Sequence, residues 1–550
     1  MAKKNNPKYI FVFGGVMSGI GKGVATSSIA KIIQSRGFEV TAIKVDPYVN
    51  VDAGTMNPTE HGEVFVLSSG LETDQDMGNY ERFLETTLPS ENYMTTGSVY
   101  WKVIQKERNL EYKGKCVQII PHVTDQIIRT IEKASDNNNA DFVIIEVGGT
   151  TGDYENDLFT EAARQMKLRK PEDVLFVMIS YVPYPQMIGE MKTKPTQQAV
   201  RALNEAGVQP DIIIARSEAP IDKKRKEKIA LFCNIKDEAV ISAPDAESIY
   251  EVPINFEKDG LSEVILNKLN LDPGEEDLKE WKQLVKNIKN AKEEVKIGIV
   301  GKYFGTGECV LSDSYISVIE AIKHACYETG KKPAIDWINS EELEENKNNL
   351  KQLDQYHGII VPGGFGSRGV EGKINCIQYA RENKIPYLGL CYGMQLMVVE
   401  FARNVAEIKN AHTSEINPEA QDLVIDIMPE QKDNLKEGKY GATMRLGNYP
   451  CQIKKETLAY EAYKKDLINE RHRHRYEVNP DYIKNLEEKG LIFSGKYSDK
   501  NLMEIAEISK EKHPFMVGSQ FHPEFTSTPL NPNPLFLSFI KSAAKKRGKK

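Results

Sequence analysis

Long apolar runs and paired cysteines are both missing from this 550-residue sequence. The longest apolar runs, such as residues 142–147 and 174–179, have the length of strands and are too short to cross a bilayer. The seven cysteines are an odd number and form no C-x-x-C pair, so they indicate neither a zinc site nor a disulfide framework. These absences predict a protein of a reducing compartment, the cytoplasm, with no membrane-spanning segment.

Positive charge is not in excess either. The formal net charge is −7, which gives no general attraction to nucleic acid, so any site for a polyanion must be local. Hydrophobic residues make up 40% and charged residues 27%, proportions typical of a soluble globular protein. The sequence contains no internal repeat, and its length suggests two or three domains.

Two stretches that alternate strand-like and helix-like sequence are separated by a polar segment. From Lys8 to about Ala243, continuous apolar strands between helices predict a parallel sheet covered on both faces. A second alternation begins near residue 296 and also predicts an α/β domain. Apolar residues at helical spacing predict one amphipathic helix in the polar segment. The expected boundaries are therefore 1–270, a linker over 271–295, and 296–550.

A glycine-rich loop follows the first predicted strand, at residues 9–13. It reads Gly-Gly-Val-Met-Ser-Gly-Ile-Gly-Lys-Gly over residues 14–23 and precedes a predicted helix. Backbone N–H groups at a helix start, together with the Lys22 ammonium, form a site for a nucleoside triphosphate. Gly23 stands where a magnesium-binding hydroxyl is usual, so the metal must be held mainly elsewhere. The alternative is that these glycines only permit a tight turn.

Acidic residues beside this loop are the candidate metal ligands. Asp74 and Asp76 lie in Glu-Thr-Asp-Gln-Asp, and Glu146 lies near the end of the predicted strand 142–147. Carboxylates at the carboxyl ends of strands next to a phosphate loop suit Mg²⁺. The alternative for the aspartates is a solvated acidic face. Glu146 differs, because it ends a buried strand.

A cysteine nucleophile is predicted in the second half. Cys391 lies in Gly-Leu-Cys-Tyr-Gly, between a predicted strand and a helix, which is the pattern of a nucleophile elbow. Farther on, His522 and Glu524 are two residues apart after another predicted strand, so that Glu524 can hold His522 as the base. A lone cysteine or histidine is more often an inert buried residue, but the two motifs together in one α/β domain favour catalysis.

Two further patterns concern this second site. Gly364, after another apolar strand, and Tyr392 are predicted to supply the N–H groups of an oxyanion hole, with a plain turn as the alternative for Gly364. Arginine and histidine alternate over residues 471–475, which is weak evidence for metal or nucleic acid. A guanidinium that binds a carboxylate fits this run better.

Taken together, these motifs closely resemble the CTP synthase family, from about Tyr9 to Phe539. The most specific stretches are residues 18–23, 44–52, 54–58, 61–66, 192–197, 229–234, 470–479 and 520–529. The resemblance implies a parallel-sheet synthetase (amidoligase) domain and a class I glutamine amidotransferase domain. It further implies that ATP phosphorylates O4 of UTP and that ammonia released from glutamine displaces the phosphate to give CTP.

The resemblance also implies roles for individual residues. ATP would contact Gly19, Ile20, Gly21, Lys22, Gly23, Val24, Lys44, Asp76 and Asp245, and magnesium would be held by Asp76 and Glu146. UTP or the inhibitor CTP would contact Ser18, Asp153, Tyr154, Glu155, Lys192, Thr193, Lys194, Pro195, Thr196, Gln197 and Lys228. Glutamine would contact Gly364, Tyr392, Gly393, Met394, Gln395, Glu415 and Arg475, and ammonia would pass Pro58, His61 and Val64.

Regulation and assembly are implied in the same way. Members of the family are inhibited by CTP, activated by GTP and form homotetramers; Arg368 is the candidate contact for GTP. The sequence departs from the family pattern at Tyr392, where leucine is common, and at Pro244 and Ala246, which flank the expected adenine contact. The segment 304–313 is longer than in bacterial members.

Two other functions remain to be weighed. Another glutamine-dependent amidoligase, such as a cobyrinate amidase, would act on a carboxylate, and the uracil-nucleotide motif at 192–197 argues against it. A partitioning-type ATPase switch with an inert glutaminase half is disfavoured by the intact set of Cys391, His522 and Glu524.

Overall fold

The computed structural model describes residues 6–185, 187, 189–301, 305–306, 309–310, 312–428, 431 and 441–546. These residues form two compact units, and the chain enters each of them twice. The first unit contains the residues up to Ala53 together with Asp76–Val285. The second contains Gly54–Gln75 and the residues from Lys286 onward. The predicted boundaries placed residues 54–75 with the first half, whereas their contacts lie with the second unit.

The first unit is built on a parallel sheet of buried strands. From edge to edge its strands are Tyr93–Thr95, Val40–Asp46, Phe142–Val147, Lys8–Gly14, Val174–Tyr181, Ile212–Ser217 and Val240–Pro244. Each neighbouring pair is parallel, and Val12 of the central strand lies beside Glu146. Because both faces are covered by helices, the strands are mostly apolar, and the charged residues Lys44, Asp46 and Glu146 lie near their carboxyl ends. The carboxyl ends of the central strands form one edge, where the phosphate loop begins.

Helices cover both faces of this sheet. They are Lys22–Gln34, Asp76–Leu84, Thr96–Arg108, Thr124–Asn137, Asp157–Arg169, Lys194–Glu205, Lys223–Cys233, Val252–Lys258, Leu261–Lys268 and the start of Lys279–Asn290. Shorter helical turns span Ser90–Asn92, Ile119–Val123, Tyr154–Asn156, Asp237–Ala239 and Ile249–Glu251. Side chains from Phe11, Ile43, Ile145 and Phe176 form part of the core between the sheet and one helical layer.

The amphipathic helix predicted in the polar segment is Lys279–Asn290. Its Trp281 is buried, donates a hydrogen bond from Nε1 to Tyr250 O at 2.7 Å, and packs on Phe83 with ring centroids 5.2 Å apart. The apolar spacing seen in the sequence is therefore the face that packs on the first unit, rather than a free linker face.

The second unit is built on a mixed sheet. Its strands are, in order, Lys332–Asn339, Glu294–Gly301, Gly358–Val361, Tyr387–Leu390, Met516–Ser519, Leu502–Ile508, Leu491–Tyr497, Arg445–Ile453 and Leu467–His474. The strands up to Met516–Ser519 are parallel, and those that follow are antiparallel. The smaller strands are Val64–Val66 with Glu72–Asp74, Gly305–Thr306 with Cys309–Val310, and Ala411–Thr413 with Asp422–Ile427 and Tyr476–Val478.

Helices again cover both faces of this sheet. They are Pro58–His61, Ile316–Glu328, Ser340–Glu345, Val370–Glu382, Tyr392–Asn404, Leu458–Tyr463, Pro480–Lys489 and Pro534–Ala543, with shorter turns at Ser312–Tyr315, Lys347–Gln355 and Pro523–Thr526. Separate apolar clusters lie on the two faces of the sheet. In the described chain, no helix combines the length and the apolar character needed to cross a membrane.

The segment Gly54–Gln75 is bound to the second unit by polar and aromatic contacts. Ser317 N donates a hydrogen bond to Glu63 Oε2 (3.2 Å), and Phe65 packs on Phe525 with ring centroids 5.1 Å apart. Arg471 Nη1 donates a hydrogen bond to Val66 O (3.1 Å). Arg473 Nε forms an ion pair with Glu72 Oε1 (2.8 Å). These contacts join residues 254 to 460 positions apart in the sequence.

Candidate active sites

The phosphate loop of the first unit connects the strand Lys8–Gly14 to the helix Lys22–Gln34. Gly19 and Gly21 have φ of 72° and 84°, a conformation that glycine adopts without strain. Lys22 begins the helix, and its Nζ donates a hydrogen bond to Gly149 O. Burial lowers the pKa of this ammonium, although Glu146 opposes the shift. The loop thus brings a helix N-terminus and a cation to one place, as anion binding requires.

Carboxylates converge on Lys44 beside this loop. Its Nζ forms an ion pair with Asp76 and lies 3.3 Å from Glu146 Oε1 and 3.5 Å from Asp46 Oδ1. Tyr80 donates its hydroxyl hydrogen to Glu146 Oε2. Burial raises the pKa of Glu146, and the neighbouring Lys44 ammonium opposes this. A side chain at position 23 would collide with Asp76, which explains why a glycine replaces the usual hydroxyl residue there.

This set suits a hard cation that takes part of its coordination from phosphate and water. Among the described residues, no group of three or more His, Cys, Asp or Glu side chains is arranged to hold a metal. Asp76 and Glu146 supply two carboxylates, the number that Mg²⁺ commonly takes from a protein when phosphates complete its shell. Asp74 lies on the hairpin of the second unit.

A cavity of about 130 Å³ lies against the start of the phosphate-loop helix. Ile20 and Val24 line it from one side, and Pro244 and Ala246 from the other. Asp245, between the last two residues, forms an ion pair from Oδ1 to Arg216 Nη1 at 2.5 Å. The two residues that depart from the family pattern are therefore part of an apolar wall next to the phosphate site.

The residues predicted for UTP and CTP fall into two groups. Asp153, Tyr154 and Glu155 line a cavity of about 980 Å³ in the first unit, together with Tyr48 and Ile120. Most residues of the second group lie at or near helix starts, whereas Lys228 lies in the middle of the helix Lys223–Cys233. Ser18 is exposed in the phosphate loop, and Lys228 is exposed on its helix. Lys192 forms an ion pair with Glu190 at 2.8 Å. Thr193 precedes the helix that begins Lys194-Pro195, and its Oγ1 accepts a hydrogen bond from Gln197 Nε2 at 3.1 Å. Thr196 is fully buried and accepts a hydrogen bond from Ser180 Oγ, so it stabilises the helix start.

In the second unit, Cys391 occupies a strained turn between the strand Tyr387–Leu390 and the helix Tyr392–Asn404. Its φ of 49° and ψ of −97° are unusual for a residue other than glycine. A Cβ on Gly389 would lie 2.7 Å from Gly393 C, and one on Gly393 would collide with Val361 O. Both flanking glycines are therefore required by close backbone packing, and the turn holds the thiol at the N-terminus of a helix.

His522 and Glu524 form a buried pair. The distance from His522 Nδ1 to Glu524 Oε1 is 2.7 Å. Burial alone would lower the pKa of His522, but the charges of Glu524 and Cys391 raise it to about 10. The two side chains meet through the helical turn Pro523–Thr526, not along an extended strand, because the preceding strand ends at Ser519. The two-residue spacing predicted a contact between His522 and Glu524, but the extended backbone expected for it was wrong.

A small cavity of about 90 Å³ adjoins the thiol. Cys391, His522 and Gly364 line it, and so do Pro58 and Val64 of the segment Gly54–Gln75. A Cβ at Gly364 would meet nothing within 4 Å, so this residue borders open space as an oxyanion site requires. His61 ends the one-turn helix that begins at Pro58.

Of the residues predicted to bind glutamine, Gly364 lines this cavity, and the others have the following positions and contacts. Gly366 N donates to Glu415 Oε1 at 2.9 Å, and Tyr392 OH donates to Gly366 O at 3.3 Å. Arg475 Nη1 donates to Gln431 Oε1 and to Thr443 Oγ1, both at 2.8 Å. Gly393, Met394 and Gln395 are buried in the first turn of the helix after Cys391.

The predicted regulatory residues are less well defined. Arg368 is exposed, with its Nε 3.6 Å from Glu341 Oε1. Much of the segment 304–313, including Phe304, lies outside the described residues.

Sequence reasoning did not single out two contacts of the thiol. Gln520 Nε2 lies 3.5 Å from Cys391 Sγ and donates to it, while the thiol itself donates to Arg473 O at 3.7 Å. Gln520 could have been noted because it precedes His522 by two residues. Arg473 contributes only its backbone carbonyl, which leaves no signature in a sequence.

Comparison with known proteins gives the family. The model of the CTP synthase N-terminus matches residues 8–271, and that of class-I glutamine amidotransferases matches residues 310–542. A CTP synthase of Pyrococcus abyssi is 53% identical over 538 residues, which cover 98% of each chain. The chain belongs to the CTP synthase family. A CTP synthase of Pyrococcus furiosus is 51% identical, again over 98% of each chain.

A solved structure of the Trypanosoma brucei CTPS glutaminase domain with bound acivicin is 39% identical to the present protein. The match covers 46% of the present protein and 95% of the solved domain, with a TM-score of 0.42. The family confirms the two α/β halves predicted from the sequence. It also confirms the predicted activity, that of a glutamine-hydrolysing CTP synthase in pyrimidine biosynthesis.

Proposed function

We propose that the two units divide the reaction between them. In the first unit, ATP phosphorylates O4 of UTP. This step releases ADP. In the second unit, glutamine is hydrolysed to glutamate and ammonia. The ammonia then displaces phosphate from C4 of the phosphorylated UTP in the first unit to give CTP. The observation that carries this proposal is the cavity of Cys391 and His522, because its wall is completed by Pro58 and Val64 from the N-terminal half of the sequence.

In the first unit, the residues at the carboxyl edge of the sheet act on phosphate. Lys22 and the N–H groups of residues 19–24 hold the triphosphate of ATP, and Lys44 neutralises the transferred group. Asp76 and Glu146 would hold Mg²⁺, which would supply positive charge to offset the charge that develops on the transferred phosphoryl group. The 130 Å³ apolar cavity takes the adenine ring, with Pro244 and Ala246 as its outer wall.

In the second unit, the cysteine attacks the amide of glutamine. His522 takes the thiol proton, held in orientation by Glu524, and later gives a proton to the leaving ammonia. The N–H groups of Gly364 and Tyr392 stabilise the oxyanion, and only the backbone of Tyr392 is needed, so its departure from leucine is tolerated. Hydrolysis of the thioester releases glutamate. Glu415 and Arg475 bind the ammonium and carboxylate groups of glutamine.

Regulation follows the family pattern in this proposal. CTP binds with its base against Asp153, Tyr154 and Glu155, and its triphosphate shares the site of UTP at Ser18, residues 192–197 and Lys228. GTP activates glutamine hydrolysis, with Arg368 as one contact. The enzyme acts in the cytoplasm as a homotetramer.

One assay tests the proposal directly. The purified protein is incubated with UTP, ATP and Mg²⁺, with either glutamine or ammonium chloride as the nitrogen source, and CTP is measured. CTP from both sources is the expected result. CTP from ammonia alone would mean that the second unit is inert, and no CTP from either source would refute the proposal.

A further inference from the structure

A chain of buried polar side chains runs behind the nucleophile in the second unit. Its members are Glu504, His472 and His474, with the guanidinium of Arg445 alongside. None of them is more than 7% exposed. These residues come from three strands of the mixed sheet, and the reaction proposed above uses none of them. Buried ionisable groups that serve only the fold are costly, so their arrangement calls for an explanation.

The hydrogen positions in this chain follow from its geometry. Arg445 Nη1 lies 3.5 Å from His474 Nε2, and because a guanidinium can only donate, this nitrogen must accept. The other nitrogen of His474, Nδ1, lies 3.0 Å from Tyr476 O, and a carbonyl can only accept. His474 is therefore neutral, with its proton on Nδ1.

The neighbouring His472 is neutral for the same reason. Its Nδ1 lies 3.0 Å from the accepting His474 Nε2, so Nδ1 must carry the proton. A neutral His472 then presents a lone pair at Nε2, which faces Glu504 Oε2 at 3.5 Å. Without a proton between them, His472 Nε2 and Glu504 Oε2 would both be hydrogen-bond acceptors facing each other. The series of hydrogen bonds from Glu504 to His474 is therefore continuous only when one proton lies between these two atoms.

The charges around this junction place the proton on the carboxyl group. Burial raises the pKa of Glu504 to about 7, although Arg445, with its Nη2 2.8 Å from Glu504 Oε1, opposes the rise. Burial lowers the pKa of both histidines, and the positive charges of Arg445 and His522 lower it further. Near neutral pH, Glu504 is thus close to its titration point. Among the described residues, Cys451 also senses the charge of Glu504, which raises the pKa of its thiol.

The other end of the chain reaches the nucleophile. Tyr476 O also accepts a hydrogen bond from Gln395 Nε2 at 2.9 Å, which fixes the orientation of that amide. The same Nε2 lies 3.3 Å from Gln520 Oε1, so the Gln520 amide must turn its Nε2 towards Cys391 Sγ, at 3.5 Å. A hydrogen-bond donor aimed at the sulfur stabilises the thiolate.

We propose that Glu504, His472 and His474 form a proton-holding chain that positions the Gln520 amide as a hydrogen-bond donor to the Cys391 thiolate. In this role Gln520 is a catalytic residue, because it contacts the reacting sulfur, and the three others are positioning residues. The proposal rests on the proposed glutaminase function of the second unit. Loss of the proton at Glu504 removes the hydrogen bond to His472, and the Gln520 amide is then held less firmly. The reactivity of the thiolate therefore declines as the pH rises past about 7.

The decisive test compares Glu504→Gln with the wild type. The glutamine amide can donate to His472 Nε2 and accept from Arg445 at every pH, so it imitates the protonated acid permanently. We measure the alkylation rate of Cys391 by iodoacetamide from pH 5.5 to 8.5, with Cys391→Ala as the blank. The ratio of variant to wild-type rate removes the part of the thiol titration that is the same in both proteins. It should be near one at pH 5.5 and rise about tenfold above pH 7. A ratio that stays constant with pH would overturn the proposal.

A second pair of variants tests the two ends of the chain. Glu504→Leu and Gln520→Met keep side-chain volume but remove the hydrogen bonds, and each should lower kcat for glutamine hydrolysis about 10- to 100-fold with little change in KM. Glu504→Gln should restore what Glu504→Leu loses. Wild-type hydrolysis by Gln520→Met would refute the role of the amide.

Controls separate this inference from the function on which it rests. Ammonia-dependent CTP synthesis, which does not use the thiol, should remain in every variant that folds. If the wild type itself failed to hydrolyse glutamine, the proposed glutaminase function would be wrong, but the pH dependence of alkylation would still decide whether the chain positions the thiolate.

Discussion

The pair of His522 and Glu524 allows a quantitative prediction for Glu524→Gln. The substitution keeps a side-chain oxygen that can accept from His522 Nδ1, at present 2.7 Å away, but removes the negative charge. That charge is the main reason why the pKa of His522 lies at about 10 despite burial. Without it, burial should lower the pKa of His522 towards its ordinary value, opposed only by the contact with Cys391.

The expected loss follows from this shift. A fall in the pKa of His522 from about 10 towards 6.5 removes at most roughly 5 kcal/mol of preference for the imidazolium, at 1.36 kcal/mol per pKa unit. Only part of this preference is expressed in the transition state, so we expect kcat for glutamine hydrolysis to fall about 100- to 1,000-fold. Glutamate release in the presence of UTP, ATP and GTP measures it.

The same pair predicts a pH dependence of stability. Because the folded-state pKa of His522 is raised, the pair stabilises the protein fully below about pH 6.5 and loses this effect as the pH rises towards about 10. The difference in Tm between the wild type and Glu524→Gln should therefore be largest near pH 6 and shrink towards pH 10.

Two results would refute this reasoning. Glutamine hydrolysis within tenfold of the wild type would mean that Glu524 does not control the base. An equal loss of ammonia-dependent CTP synthesis would point to a folding defect, since that reaction bypasses the thiol.

Other predictions concern single steps. Cys391→Ala should abolish CTP formation from glutamine but not from ammonia, while the matched control Cys376→Ala, at another buried cysteine, should keep both; loss of ammonia-dependent synthesis in folded Cys391→Ala would contradict the division of labour. Asp76→Ala should abolish synthesis from either nitrogen source, and near-normal ammonia turnover would reject the metal assignment. Glu155→Ala should weaken CTP inhibition more than it raises the KM for UTP, whereas equal effects would indicate a shared subsite. Gly23→Ser should cost at least about tenfold in kcat/KM for ATP, because its side chain would collide with Asp76; unchanged kinetics would show that the loop adapts.

Features coded by neighbouring residues were predictable from the sequence. The strand Lys8–Gly14, its glycine loop and the helix Lys22–Gln34 follow each other directly, and so do the strand, turn and helix around Cys391. In each case a short glycine pattern sets the backbone conformation, so a local reading is sufficient.

Features that depend on packing between distant strands were not predictable. Arg473 and Glu72 form an ion pair across 401 positions, and no local pattern indicates that residues 54–75 belong to the second unit. The alternation of arginine and histidine at 471–475 gave only weak hints, because the burial of His472 and His474 depends on strands far away in the sequence. The contact of His522 with Glu524 was expected, but the turn that makes it was not.

Because the chain enters each unit twice, the gene for this enzyme is restricted in how it can recombine. Because residues 54–75 belong to the second unit and are flanked on both sides by residues of the first, no single cut in the polypeptide separates the two units. A gene fragment beginning near residue 286 would encode a glutaminase without Glu63, Phe65 and Glu72, whose partners Ser317, Phe525 and Arg473 would then face solvent. Recombination that exchanges one half for a foreign homologue must therefore also exchange the segment Gly54–Gln75, which ends 211 residues before Lys286. The two halves should share one phylogeny across the family, unlike enzymes whose glutaminase is a detachable module.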